Sequence, residues 1–289
     1  MRIKTFKAWR PPANLTAHVA SLPYDVVSVS EARDLTRGHP HCFMHVTVPL
    51  ADLPPDTPEK ADVVYQKARE NFELFKQKGY LAQDQEPGLF LYRLNMNGHV
   101  QRGLVNVIHV QDYEAGRIKK HEHTRAAPEE DRTRHIQASD AQTGPVFLTY
   151  RAQQAIDALL AEVERQEAPL FDYAAPDGII HTGWRIPNSE RLVALFASLQ
   201  EVYIADGHHR AAAAVRAARE LREKHPEHTG DEEYNWFLTV LFPSNQLRIM
   251  PYNRCVADLN GLSADDFIKQ VRQQGFSIAP SRQDAPDRA

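Results

Sequence analysis

VYIADGHHRAAAAVRAARELREK, residues Val202–Lys224, reads as three pieces in order. Val202 to Ala205 is a short apolar strand, Asp206 to Arg210 a polar break, and Ala211 to Lys224 an alanine-rich helix with Arg216, Arg219 and Arg222 on its outer side. Strand, polar turn and helix in close succession point to a chain that mixes α and β structure. Such a turn offers unpaired backbone N–H groups and the positive end of a helix dipole, and Gly207 lets the backbone approach a ligand. Arg210 adds a bidentate donor, His208 and His209 add imidazoles, and Asp206 is the one group of opposite charge. The set suits a phosphate, with Asp206 orienting the arginine, holding Mg²⁺ or assisting proton movement. The plain alternative is that Asp206 caps the helix and the histidines are solvated. Zinc fits less well, because adjacent histidines diverge and no spaced cysteine pair completes a tetrahedron.

Outward from this segment, periodicity supplies further elements. Thr57-Pro58 reads as a helix start, with Val64, Ala68, Phe72 and Phe75 as its apolar face and Gly79 as its stop. Leu89 to Leu94 and Gly103 to Val110 read as strands around the hairpin dipeptide Asn97-Gly98. A helix after Tyr150 carries Ile156, Leu159, Leu160 and Val163, and a second hairpin flanks Pro176-Asp177-Gly178. Asn188 is read as the cap of a helix with Leu192, Leu195, Phe196 and Leu199 inward. Tyr234 to Phe242 and Leu247 to Met250 read as a strand pair, and a last helix runs from Ser263 to Gly275. Ser28, Ser30 and Glu31 start a short helix through Leu35 and serve as caps. Trp184 and Trp236 are core residues of strands, and Cys42 and Cys255 have no base at useful spacing.

With 289 residues, 34 Lys+Arg against 38 Asp+Glu and 42% hydrophobic residues, the chain carries a net charge of −4. It is large enough for a real core at about 100 to 200 residues per domain. A single domain over 1–280 is expected, with 111–188 as an inserted subdomain and 281–289 as a disordered tail lacking an apolar face. The charge balance argues against a nucleic-acid binder. Two cysteines, no signal core and no run of roughly 18 apolar residues indicate a cytoplasmic protein without membrane association. The oligomeric state is left open.

Two further segments carry chemistry. Leu22-Pro23-Tyr24-Asp25-Val26-Val27 places a carboxylate in a turn, where Asp25 either acts on a substrate or bonds its own backbone. Lys119 to Arg125, followed by Glu129 to Arg132, is expected to succeed the second core strand directly. On an extended backbone it would set His121 and His123 on one side and Glu122 and Thr124 on the other. The segment either presents donors to phosphate or a carboxylate to a metal, or is a solvated charged hairpin.

Ala205-Asp206-Gly207-His208-His209-Arg210 resembles the phosphate-binding signature of the ParB and sulfiredoxin-like fold, in the version carried by free serine kinases. Those kinases have an earlier apolar-Pro-x-acid motif, to which Leu22-Pro23-Tyr24-Asp25 is similar with Asp in place of Glu. Over nearly its whole length the chain also resembles a bacterial family of unassigned function that shares Pro-Tyr-Asp-Val, Lys-His-Glu-x-Thr and Ala-Asp-Gly-His-His-Arg. Members usually continue past the point where this chain stops, which implies a truncation or early frame end at Ala289.

The resemblance implies an α+β fold with a ParB/sulfiredoxin-like core of mixed sheet, packed helices and inserted hairpins. It implies a phosphotransferase that uses ADP or ATP with Mg²⁺ and a small metabolite hydroxyl, serine among the acceptors. In that scheme Gly207, His208, His209 and Arg210 hold phosphates, Asp25 takes the hydroxyl proton and Asp206 serves Mg²⁺ or donor orientation. Lys120, His121, Glu122, Thr124, Asp131 and Arg132 are second-tier residues. A ParB-like regulatory or DNA-associated module and a metal-dependent phosphohydrolase are the alternatives.

Overall fold

The computed structural model describes residues 1–250, 256 and 258–280. It divides into a unit of residues 1–247 and a unit of residues 248–289. In the first unit the strands are β1 (Ile3–Lys4), β2 (Trp9–Arg10), β3 (Ala82–Gln83), β4 (Leu89–Met96), β5 (His99–His109), β6 (Ile118–Lys119), β7 (Val146–Tyr150), β8 (Phe171–Ala174), β9 (Ile180–Ile186), β10 (Val202–Asp206) and β11 (Trp236–Pro243). Its helices are α1 (Thr16–Val19), α2 (Val29–Thr36), α3 (Met44–Thr47), α4 (Asp62–Gln77), α5 (Val110–Glu114), α6 (Ala126–Ser139), α7 (Gln154–Gln166), α8 (Glu190–Ser198) and α9 (His208–Lys224). The fold is α+β.

Nine of these strands form one mixed sheet in the order β6-β10-β7-β11-β5-β4-β9-β8, with β1 also on β5. The pairs β6–β10 and β7–β11 are parallel and the others antiparallel. Alternation sends Leu104 and Ile108, Phe237 and Leu241, and Val146, Leu148 and Tyr150 into one core with the apolar stripes of α7, α8 and α9. Within that layer the Thr239 hydroxyl donates to Asn106 Oδ1 at 3.1 Å, a buried polar pair across facing residues of β5 and β11. A second, smaller core holds Val19, Val46, Phe72, Phe75 and Leu81. Trp184 is buried in the main core.

The hairpin at Asn97-Gly98 forms with both residues at positive φ, as a tight turn with right-handed strands requires. Ser28 and Glu31 make the reciprocal capping box of α2. Several expectations are corrected. The helix expected from Thr57 begins at Asp62, because Thr57 and Ala61 donate to the carbonyls of Pro54 and Pro58 in separate turns. Asn188 does not cap α8, whose N-cap is Ser189 without a side-chain bond. Leu247 to Met250 is not a strand, since β11 is occupied on both sides by β5 and β7 and leads into a 3₁₀ turn. The 119–132 segment does not directly follow β5. Helix α5 and strand β6 intervene, and Glu129 to Arg132 are helical.

In the second unit, α10 (Ala264–Gln273) starts at Ser263, whose Oγ accepts the Asp266 N–H, and stops at Gly275 with φ +89°. Cys255 and residues 281–289 lie outside the described residues. Among the described residues no helix is long and apolar enough to cross a membrane.

Candidate functional site

β10 runs through Asp206 and α9 begins at His208, so the break between them contracts to Gly207. Gly207 sits at φ +89°, a region that a side chain disfavours, and a Cβ there would lie 3.0 Å from Arg210 Nε. Small residues on the inner face of α9, among them Ala211, Ala214 and Ala218, let this helix lie close against the sheet. Its first turn carries no side-chain cap, and among the described residues the amides of His208, His209 and Arg210 have no hydrogen-bond partner. Asp206 is therefore not a cap. Its carboxylate accepts instead from Arg210 Nη2.

Arg210 folds back over the turn, donates through Nη1 to the Pro145 carbonyl, and keeps only 15% of its side chain exposed. The same Nη2 lies 3.9 Å from Asp25 Oδ2. Two motifs far apart in sequence thus meet at one guanidinium. Asp25 sits in a 3₁₀ turn, Tyr24–Val26, held from below by the Arg132 guanidinium 4.2 Å over the Tyr24 ring. Arg132 is fixed by bonds of 2.8 and 2.6 Å from Nε and Nη2 to Asp131 Oδ2, and the Tyr65 hydroxyl donates to Asp131 Oδ1 at 2.9 Å. Burial, with the Asp131 carboxylate second, pushes the Tyr65 hydroxyl up to about 12. Burial also raises the Tyr24 hydroxyl.

The two imidazoles of the turn hold the neighbouring loop. The His121 N–H donates to His208 Nε2 at 3.4 Å and the Arg125 N–H to His209 Nε2 at 3.1 Å. Both Nε2 atoms are therefore bare, and the neutral rings carry their proton on Nδ1. His208 Nδ1 faces Glu122 Oε2 at 3.6 Å, and the His121 ring meets the His208 ring edge-on at 4.5 Å. Burial, then the neighbouring His121, lowers the His208 pKa. The structure thus brings His121 and Glu122 to His208. Thr124 donates to Glu129 at 3.0 Å and Lys120 lies over the Tyr113 ring, so neither pairs with Arg210.

A cavity of about 40 Å³ lies between these elements, lined by Tyr24, Arg132, His135, Gln142, Thr143 and Arg210 among others. His135, Gln142 and Thr143 belong to none of the sequence motifs above. His135 is 2% exposed and held near pH 4, chiefly by burial, while Nε2 donates to the Val46 carbonyl at 2.9 Å. Gln142 ties its loop to β11, donating to the Trp236 carbonyl and accepting the Leu238 N–H at 2.7 Å. A signal was present: Asp131, His135 and Ser139 recur every fourth residue, a polar row at helical spacing.

Among the described residues no three His, Cys, Asp or Glu side chains are placed to hold a metal ion by themselves. On α9, Arg216 pairs with Glu130 and Glu220, and Arg219 and Arg222 both pair with Glu114, so the helix presents balanced rather than free charge.

A family model described as a protein of unknown function (DUF1015) matches residues 3–287. The chain belongs to this family. No curated protein and no solved structure matches it. The DUF1015 description states no activity, so function has to be argued from the site.

Proposed function

We propose that the protein is a nucleotide-dependent small-molecule kinase that transfers phosphate from ADP or ATP to a hydroxyl, with free serine among the acceptors. The observation that carries the reading is the 3.9 Å approach of Asp25 to the guanidinium of Arg210 beside three amides that have no partner among the described residues. Phosphoryl transfer asks a protein mainly to position the reactants and stabilise charge. In this reading the amides after Gly207 and Arg210 bind the transferring phosphate, and Asp25 accepts the hydroxyl proton. His208 and His209 act through the 120–125 loop that they hold against the turn.

Mg²⁺ arrives with phosphates and needs only one or two carboxylates from the protein. Asp206 and Asp25, both within reach of one guanidinium, fit that demand, with Asp206 as the holder. When bound, the ion neutralises phosphate oxygens. The resemblance of this turn and of Leu22-Pro23-Tyr24-Asp25 to the ParB-like serine kinases supports the same assignment.

The test is incubation with each nucleotide, Mg²⁺ and a panel of hydroxylated metabolites, followed by mass spectrometry. A new phosphorylated product that is lost in Asp25→Asn, with nucleotide binding retained, is expected. Transfer undiminished in Asp25→Asn would remove Asp25 from the mechanism.

A further inference from the structure

The cavity behind the Tyr24–Val26 turn is too small for a nucleoside. Its volume is about 40 Å³ and a water needs roughly 10–15 Å³, so three or four water-sized groups fill it. Its walls are nonetheless rich in polar groups for that size. Arg132 and Arg210 both line it with side chains only 13% and 15% exposed. Arg132 commits Nε and Nη2 to Asp131, and among the described residues its Nη1 has no partner. Tyr24 and Thr143 also line the cavity, and their hydroxyls make no hydrogen bond among the described residues. Asp206 and Asp25, the carboxylates at Arg210, keep 64% and 42% of their side chains exposed, so water screens them more than the guanidiniums.

His135 adds a different element. Its Nε2 faces a carbonyl, which can only accept, so the proton sits on Nε2 and Nδ1 is a bare acceptor. That nitrogen has no partner among the described residues, on a side chain 2% exposed. Burial keeps the ring neutral at physiological pH. A ligand matched to this wall accepts from guanidinium and hydroxyl groups and also donates one hydrogen bond.

We infer that this cavity is a binding site for a small oxyanion that carries its own O–H, hydrogen phosphate, held by Arg132, Arg210, Tyr24 and Thr143 and discriminated by His135. The site shares Arg210 with the proposed nucleotide site but not the amides that follow Gly207, and it does not depend on phosphotransfer. Sulfate matches hydrogen phosphate in shape but has no proton to give His135 near neutral pH, so it leaves that nitrogen unpaired in the bound state.

Calorimetric titration of the full chain at pH 7 and fixed ionic strength, with inorganic phosphate, methyl phosphate and sulfate as probes, tests this. Phosphate is expected to bind at least tenfold more tightly than sulfate, and methyl phosphate, whose last proton is lost with a pKa of about 6, to bind as weakly as sulfate at pH 7. Arg132→Gln should cost at least tenfold in phosphate affinity. Thr143→Val, in a loop where the hydroxyl bonds nothing, should cost severalfold without changing the melting temperature. Absence of phosphate binding, or sulfate binding as tightly as phosphate, overturns the inference. A parallel titration with Mg-ATP and Mg-ADP keeps the outcomes distinct: nucleotide binding that persists when phosphate fails to bind leaves the kinase reading standing, and the converse leaves the oxyanion site standing.

Discussion

Gly207 holds a backbone angle of φ +89° and leaves the space into which Arg210 folds. Gly207→Ala combines two penalties: a left-handed residue that costs about 1–2 kcal/mol, and a methyl group 3.0 Å from Arg210 Nε. The variant is expected to unfold at lower denaturant, by about that energy, and to bind nucleotide more weakly because the guanidinium is displaced. Unchanged stability and affinity would mean that the turn is not constrained as described. At this scale the contiguous groups were legible: Asp206, Gly207 and Arg210 lie together in sequence, and Asp25 lies in a short turn motif of its own. Gln142 and Thr143 were not, because their part in the site comes from where the loop after α6 lies, and the polar row of Asp131, His135 and Ser139 marks a helical face without saying what that face meets.

The loop over the helix N-terminus hangs on two imidazole acceptors. His209→Ala removes the partner of the Arg125 amide, and an intramolecular bond contributes about 0.5–1.5 kcal/mol, up to roughly tenfold in an opening equilibrium. Hydrogen exchange at Arg125 is expected to quicken severalfold to tenfold, with the strands of the sheet unaffected. Equal protection in variant and parent would show that the loop is held by something else. Among the elements, apolar stripes such as those of α4, α7 and α8 were legible, as were both hairpins with their turn dipeptides. Helix α6 was not, because its buried side chains are Thr133, His135 and Ser139, so that helical periodicity is carried by polar groups. The expected partner strand for β11 failed for another reason. Its neighbours are β5 and β7, and a three-residue turn looks like a hairpin whether or not the chain beyond it returns.

Over the whole molecule, the sheet order interleaves segments from the full length of the first unit, bringing β10 between β6 and β7. Local pattern gives strands, not crossovers, so the meeting of Asp25 with Arg210 had to come from the fold.

Global stability should also sense His135. Its folded pKa, about 4, lies below the ordinary value of 6.5, so the unfolded chain binds more protons between these values. The contribution of the neutral buried ring is full above pH 6.5 and falls away towards pH 4, by roughly 2–4 kcal/mol. His45 works in the opposite direction. Its hydrogen bond to Asp52 raises its pKa, so that contribution is present below 6.5 and fades as pH rises through the folded value. Urea unfolding at pH 7 and pH 4.5 is expected to show lower stability at the acid end, with a smaller drop in His135→Gln. An identical drop in both proteins would assign the acid sensitivity elsewhere.

If the turn after β10 and the Tyr24–Val26 turn form one phosphate-handling site, nucleotide binding depends on the guanidinium between them. Titration of Mg-ATP and Mg-ADP into the parent chain and into Arg210→Ala tests it most directly. Measurable binding of at least one nucleotide by the parent and a loss of tenfold or more in the variant are expected. No binding by the parent, or equal affinity in the two proteins, would contradict it.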